Sequence, residues 1–460
     1  MSVHAGGDNL VLRSRRVWLD GGLRPAEITV EKGLIVAIGP PTALRGPSVL
    51  DLDGLWVLPG LIDTQVHFRE PGHPDKEDLE SGSRAAVAGG MTAFLEMPNT
   101  RPTTTTAKAL ADKVARATDR AWCDFGFFVG AAADNVEQLP ELERLPGCCG
   151  IKIFMGSSTG TLLVADDESL RRVLAGGASR AAVHAEDEAR LRELKAAHAQ
   201  ADHPRWHPVL RDEECARLAV SRMLALSAET GRPVHLLHLN CSQEMELLRA
   251  LPPGVLGGRV TAEVTPQHLL LAAPDCYEEL GTRAQMNPPI RGEGHRHALW
   301  EAFLDGTVQV LGSDHAPHTR EQKAAPYPAA PSGMPGTETM LPLMIDQVLR
   351  GHLPLARVVS ALGEAPARAY GIRGKGAIAT GMRGDFTVVD PAAAWTVDEA
   401  TLQSRCGWSP FHGRALRGSV SHTIVRGRLV FAGGALAGGA FVGPPGGRPL
   451  DFAHSRGESS

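Results

Sequence analysis

The chain of 460 residues reads as an α/β protein: a (β/α)8 TIM barrel with a small β-sandwich domain formed by both chain termini. Three observations predict this. A rhythm of strand, loop and helix starts at Leu61 and repeats eight times over about 250 residues, the usual size of such a barrel. On either side of it, short apolar runs alternate with Gly and Asp turns, the pattern of β-rich structure. Polar residues suited to a metal site recur where the expected strands end, which is where barrel enzymes place their chemistry. A doubly wound open sheet is the structural alternative. It would have fewer strands and usually a glycine-rich phosphate loop after the first, and none follows residues 61–68.

In chain order, apolar runs at residues 9–17, 26–30, 34–38 and 49–52 make the first β-rich piece. The expected barrel strands are residues 61–68, 92–97, 125–130, 150–154, 181–184, 234–239, 260–264 and 308–312. Stretches rich in Ala, Leu and Glu, such as 79–88, 188–199 and 215–229, supply helices between several of them. After a helical stretch around 353–370, β character returns at 376–391 and 418–432, clearest in Asp385-Phe386-Thr387-Val388-Val389. Neither terminal piece is large enough to bury a core alone. The expected domains are therefore residues 58–375 for the barrel, and residues 1–57 plus 376–460 for the sandwich. The tail from Gly443 to Ser460, rich in Gly, Pro and charge, is expected to be poorly ordered.

A formal net charge of −5 gives no electrostatic reason to expect nucleic acid or a membrane surface as partner. Among seven cysteines only Cys148 and Cys149 are adjacent and no CxxC pair occurs, so neither a disulfide framework nor a zinc knuckle is indicated. A reducing, cytoplasmic setting is the simpler one. Residues 1–9 are polar and Gly-rich, unlike a signal peptide, and no run approaches the roughly 18 apolar residues of a membrane span.

The most informative segment is Asp63-Thr64-Gln65-Val66-His67-Phe68-Arg69-Glu70-Pro71-Gly72. Gln65 and His67 lie two apart, so on a strand both point to one side. A metal site would be better served by a second imidazole than by the weak, neutral oxygen of an amide at position 65. Strand four carries Lys152 between Ile151 and Ile153, strand five ends Val183-His184-Ala185-Glu186, and strand six has His235 and His238. Strand eight ends Gly312-Ser313-Asp314-His315-Ala316-Pro317-His318. Singly, each strand-end histidine reads as a hydrogen-bonded core residue, and Lys152 as the partner of a carboxylate such as Glu186. Such residues on five strands of one barrel point jointly to a metal. A buried lysine loses basicity, and its neutral amine can take up carbon dioxide as an anionic, bidentate carbamate able to bridge two cations. Arg69 also faces the site, and its planar fork suits a carboxylate; the alternative is a salt bridge to Glu70 or Asp75.

These stretches resemble the dihydroorotases of the amidohydrolase superfamily, specifically the longer bacterial type. The likeness runs from Gly54-Leu55-Trp56-Val57-Leu58-Pro59-Gly60 to Gly427. It includes Met97-Pro98-Asn99-Thr100, Met286-Asn287-Pro288-Pro289-Ile290-Arg291 and Pro331-Ser332-Gly333. It implies that His67 and Asp314 hold one zinc ion and His184 and His238 a second, with carboxylated Lys152 bridging them; one or two ions are expected. His235 is then a packing neighbour. Gln65 stands where the family has the first histidine, so the first ion is expected to bind more weakly. The resemblance further implies that Arg69, Asn99 and His318 grip a substrate carboxylate, while Asn287, Ser332 and Gly333 meet the ring. Asp314 would carry the proton between water and the departing ring nitrogen as (S)-dihydroorotate opens to N-carbamoyl-L-aspartate, a step of de novo pyrimidine (UMP) biosynthesis. A homodimer is a family-level expectation. Two other readings stay open. One is a non-catalytic homologue scaffolding aspartate carbamoyltransferase, which the glutamine motivates. The other is an allantoinase- or hydantoinase-type cyclic amidohydrolase; allantoinases commonly have asparagine at the position of Arg69. The Pro- and Ala-rich loop 318–336 either closes over substrate or is plain surface.

Overall fold

Parallel strands covered on both faces need unbroken apolar runs, and the middle of this chain supplies eight. The computed structural model describes residues 9–42, 49–158, 160, 162–433 and 439–456. Before the barrel come β1 (Leu10–Leu19), β2 (Gly22–Glu31), β3 (Leu34–Gly39), β4 (Val49–Asp51) and β5 (Trp56–Pro59). The barrel strands are β6 (Leu61–Val66), β7 (Met91–Glu96), β8 (Asp124–Gly130), β9 (Cys148–Phe154), β10 (Ala181–His184), β11 (Val234–Leu236), β12 (Val260–Val264) and β13 (Val310–Leu311). They pair in chain order in one eight-stranded sheet. Its ends approach through a bridge between Val66 and His315, where His67 N donates to His315 O at 2.7 Å. This nearly closed parallel barrel agrees with the expected fold, and it brings the first and last strand ends, with Gln65, His67 and Asp314, side by side.

Helices pack outside the strands. That over Leu79–Ala88 starts at Asp78, whose carboxylate accepts from Ser81 N at 2.7 Å in a capping box. It lies directly on the end of β6: a Cβ on Gly82 would come within 2.4 Å of the Phe68 ring, so only glycine permits this approach.

After the barrel come β14 (Phe386–Thr396), β15 (Ala415–Val425), β16 (Arg428–Ala432) and β17 (Ala440–Phe441). The terminal strands join in a separate mixed sheet ordered β17-β16-β15-β14-β5-β1-β2-β3, with β4 beside β1. Its seam is the antiparallel pair β5 and β14, in register at Phe386 and Pro59. Leu12, Ile28, Val57, Phe386, Val388 and Ile424 form its core. Gly60 carries the chain from β5 into β6, and its N donates to Asp385 O at 2.8 Å.

A buried charge cluster ties this sheet to the barrel. Lys375 Nζ lies 2.9 Å from Asp124 and also contacts Asp385, and Arg426 reaches Asp124 at 3.0 Å. Burial pushes the Asp124 carboxyl up, but the two cations more than reverse this and leave it below its ordinary range. Replacing Lys375 with methionine strands two buried carboxylates against one remaining cation. We expect this to cost about 3–5 kcal/mol of stability, read from urea unfolding; an unchanged midpoint would show that the cluster is not structural.

The tail departs from expectation. Leu450 N donates to Phe125 O at 2.8 Å, and Phe452 is fully buried among Ile62, Leu95, Phe128 and Tyr370 at the barrel's closed end. Two large apolar side chains two residues apart anchor a segment otherwise made of Gly, Pro and charge. Residues 457–460 and 1–8 lie outside the described residues. No helix among the described residues is long and apolar enough to cross a membrane. All seven cysteines are buried free thiols.

Candidate functional site

The strand ends of the barrel open on a small cleft. Gln65, His67, Arg69, Asn99, Lys152, His184, His238, Asn287, Asp314, Ser332 and Gly333 line it, together with Phe154, Ser158 and Ala316. All the ligand and substrate-binding residues that the family resemblance implies thus meet in one place except His318, which stands one layer behind.

The imidazoles are oriented by their neighbours. His67 Nδ1 donates to Asn99 Oδ1 at 2.7 Å, which leaves Nε2 as the lone-pair nitrogen, 3.3 Å from Asp314 Oδ1. Glu186 Oε2 accepts from His184 Nε2 at 2.8 Å, leaving Nδ1 facing His238 Nε2 at 3.1 Å. Two donors on one tetrahedral zinc at about 2.0–2.1 Å stand about 3.3 Å apart, so both pairs have the spacing of shared ligands. Burial holds the pKa of His67, His184 and His238 below the ordinary histidine value, which keeps the rings neutral and able to ligate.

Lys152 is 1 % exposed, with its Nζ lacking any hydrogen-bond partner among the described residues and lying 4.5 Å from the centre of the Phe154 ring. Burial lowers its pKa to about 7, against the pull of Asp314 and Glu263. Glu186 is not its partner: that carboxylate is taken by His184 and by Arg211, whose Nε donates to it at 3.0 Å. Burial also raises the Asp314 carboxyl to about 7, partly offset by Lys152. Gln65 Nε2 donates to Asp314 Oδ1 at 3.0 Å, while Gln65 Oε1 is buried without a partner among the described residues. Among the described residues, no group of three His, Cys, Asp or Glu side chains is arranged to hold a metal by itself. Two orphaned polar atoms, Lys152 Nζ and Gln65 Oε1, stand beside two donor pairs of ligand spacing. That set fits a divalent cation once Lys152 contributes oxygen.

Arg69 is 4 % exposed. Its Nε donates to Pro317 O at 3.1 Å, and Nη2 lies 3.4 Å from His318 Nε2. Neither expected carboxylate reaches it: Glu70 pairs with Arg120 at 2.9 Å and Arg116 at 3.5 Å. Burial lowers its pKa to about 10, so it remains charged and without an anion bonded to it among the described residues. His318 has both nitrogens engaged, Nδ1 by Lys76 Nζ at 3.2 Å and Nε2 by Ser332 O at 3.0 Å. It therefore sits against Arg69, just behind the residues that line the cleft. Arg69, His238 and Asp314 all have positive φ, at 63°, 37° and 44°. Such conformations are costly for these residue types and gather at functional sites.

His235 is directed away from the cleft, bonded to Thr261 Oγ1 at 2.8 Å with its ring 5.4 Å from Tyr370. Asn287 Oδ1 is held by His207 Nε2 at 2.9 Å. The loop 318–336 is anchored rather than hinged: Lys323 Nζ donates to Gln285 O and Pro331 O at 3.1 and 2.8 Å, and Trp408 Nε1 donates to His318 O at 2.7 Å. The orienting roles of Asn99, Glu186 and His207 were not legible in the sequence. Only the spacing of Glu186, two residues after His184, hinted at one.

Comparison with known proteins accords with this geometry. The model of the amidohydrolase family matches residues 56–206 and 212–430. A dihydroorotase of Methanosarcina mazei is 37% identical over 417 residues, covering 87% of this chain and 90% of its own. An allantoinase of Streptomyces avermitilis is 36% identical over 437 residues, covering 92% and 96%. Among solved structures, the L-hydantoinase (dihydropyrimidinase) from Arthrobacter aurescens superposes with a TM-score of 0.88 at 28% identity, covering 96% of this chain and 99% of that one. With most of its length matched and its strand ends converging on one cleft, the chain belongs to the amidohydrolase family and is a hydrolase of cyclic amides.

Proposed function

We propose that this enzyme is a metal-dependent dihydroorotase, catalysing the reversible hydrolysis of (S)-dihydroorotate to N-carbamoyl-L-aspartate in pyrimidine biosynthesis. The observation that carries the reading is Arg69, a buried guanidinium on the cleft wall with no carboxylate bonded to it among the described residues, beside the two donor pairs. His67, Asp314, carboxylated Lys152, His184 and His238 would hold zinc, with Gln65 beside them. When bound, that zinc supplies a water acidic enough to ionise near pH 7 and polarises the amide carbonyl.

The chain's own residues do the rest. Arg69 takes the substrate carboxylate and sets the ring in one orientation, an effect worth most in a cleft from which water is excluded. Asn287, fixed by His207, and the Ser332–Gly333 backbone face the ring. Asp314, with its pKa near neutrality, accepts a proton from water and returns it to the ring nitrogen as the carbon–nitrogen bond breaks. Ring closure runs the same proton the other way. The buried thiols and the absence of a spanning helix among the described residues are in keeping with a cytoplasmic enzyme.

An allantoinase- or hydantoinase-type activity is the second reading, favoured by the allantoinase of similar identity and the hydantoinase superposition. Both rings lack the carboxylate that Arg69 would meet. Purified protein loaded with zinc and bicarbonate should open dihydroorotate and close N-carbamoyl-L-aspartate, with allantoin and hydantoin turned over at least tenfold less well. Preference for either uncharged ring would overturn the assignment.

A further inference from the structure

Gln65 stands where the dihydroorotase resemblance implies a histidine, and it is 1 % exposed on the cleft wall. A carboxamide has one donating end and one accepting end, and a carboxylate only accepts. With Asp314 ionised, the 3.0 Å contact from Nε2 to its Oδ1 therefore fixes the orientation of the amide. Its oxygen, Oε1, is left buried with no hydrogen-bond partner among the described residues. Buried polar atoms in folded proteins are nearly always paired, so an orphaned acceptor beside His67 and Asp314 has the character of a ligand awaiting an electrophile. A ring that ligates through one nitrogen directs its other N–H away from the metal. A carboxamide instead carries its donor next to its oxygen, on the same side.

We propose that Gln65 uses both ends of its amide. Oε1 ligates the cation shared with His67 and Asp314, and Nε2 positions the Asp314 carboxylate for proton transfer. The weaker oxygen ligand is thus coupled to an oriented acid, which the histidine of the family would not supply in that way. The inference rests on the dihydroorotase reading for its turnover readout only; its metal readout is independent of substrate.

The test compares full-length wild type, Gln65→Leu and Gln65→Glu, measuring zinc per chain and zinc affinity alongside kcat and KM. Gln65→Leu removes both ends and should weaken zinc binding at least tenfold. Gln65→Glu keeps an oxygen donor but loses the amide hydrogens. It should hold zinc as well as wild type or better, while kcat falls at least tenfold and KM stays within about threefold. Zinc binding by Gln65→Leu at the wild-type level would overturn the ligand role. An unchanged kcat in Gln65→Glu would overturn the positioning role. Should Gln65→Leu fail to fold, Gln65→Asn, whose shorter amide cannot span to both partners, takes its place with the same expectation. If wild type ignores dihydroorotate, the series is read with the cyclic amide it does open, so failure of the substrate assignment is seen separately.

Discussion

Replacing Asp314 with asparagine should lower kcat/KM for dihydroorotate by about 10³–10⁴-fold while making the metal-free protein more stable at neutral pH. The first effect follows from removing the one acid at the floor of the cleft that combines a near-neutral pKa with ligand spacing to His67. General acid–base catalysis alone contributes about 10²–10⁴-fold, and here a metal ligand is weakened as well. The second effect follows from linkage. Burial raises the Asp314 pKa from 3.8 to about 7, so the folded state holds its proton more tightly than the unfolded state does. The associated stability is fully present below about pH 4 and is lost as pH rises to 7. Asparagine does not titrate, and it still offers Gln65 Nε2 an acceptor. In thermal melts of metal-free protein, wild type should lose stability relative to the variant between pH 4 and 7. Parallel pH curves, or turnover within tenfold of wild type, would show that Asp314 is neither buried as an acid nor central to the chemistry.

The amino-acid sequence makes the barrel legible for a physical reason. Strands such as Ala181–His184 and Val260–Val264 are buried on both faces, so their boundaries coincide with their apolar runs. The seam strand Trp56–Pro59 is no less apolar, but it runs into β6 with only Gly60 between, so no turn separates the two in sequence. The docked tail was missed because two apolar residues, Leu450 and Phe452, outweigh the surrounding flexible composition once a barrel end is available to receive them. At the site, Asn99, Asn287, Ser332 and Gly333 are implied only by the family resemblance, whereas Gln65, His67, Arg69, Lys152, His184, His238 and Asp314 announce themselves through strand-end position and period. Those that orient them do not. Asn99 acts across strands on His67, and Glu186, though only two residues from the His184 it orients, is itself held by Arg211; such long-range pairings depend on register that one chain's pattern does not contain. The same limit explains His318. The resemblance implies that it contacts substrate, and the sequence gives no sign that Lys76, far away in the chain, engages its Nδ1.

Substitution of Arg69 by methionine should separate the charged substrate from the uncharged ones. Methionine keeps most of the bulk against Pro317 and His318 but removes the fork. A substrate carboxylate brought into this cleft would then be desolvated without a partner, which costs about 2–5 kcal/mol, or about 30- to 4,000-fold in kcat/KM for dihydroorotate. Activity toward hydantoin should stay level or rise, because that ring never required the guanidinium. Arg69→Lys should recover only a minor part of the loss, since an ammonium presents a point charge where two parallel hydrogen bonds are needed. Zinc content should be unaffected in both variants, as no proposed ligand is touched. The variant should also fold at least as well as wild type: the guanidinium is buried with no carboxylate bonded to it among the described residues, so its charge costs the unliganded protein stability. Equal losses toward charged and uncharged rings would mean that Arg69 shapes the cleft rather than reads the substrate. The choice between dihydroorotate and its uncharged relatives would then have to rest on Asn287 and the Ser332–Gly333 backbone.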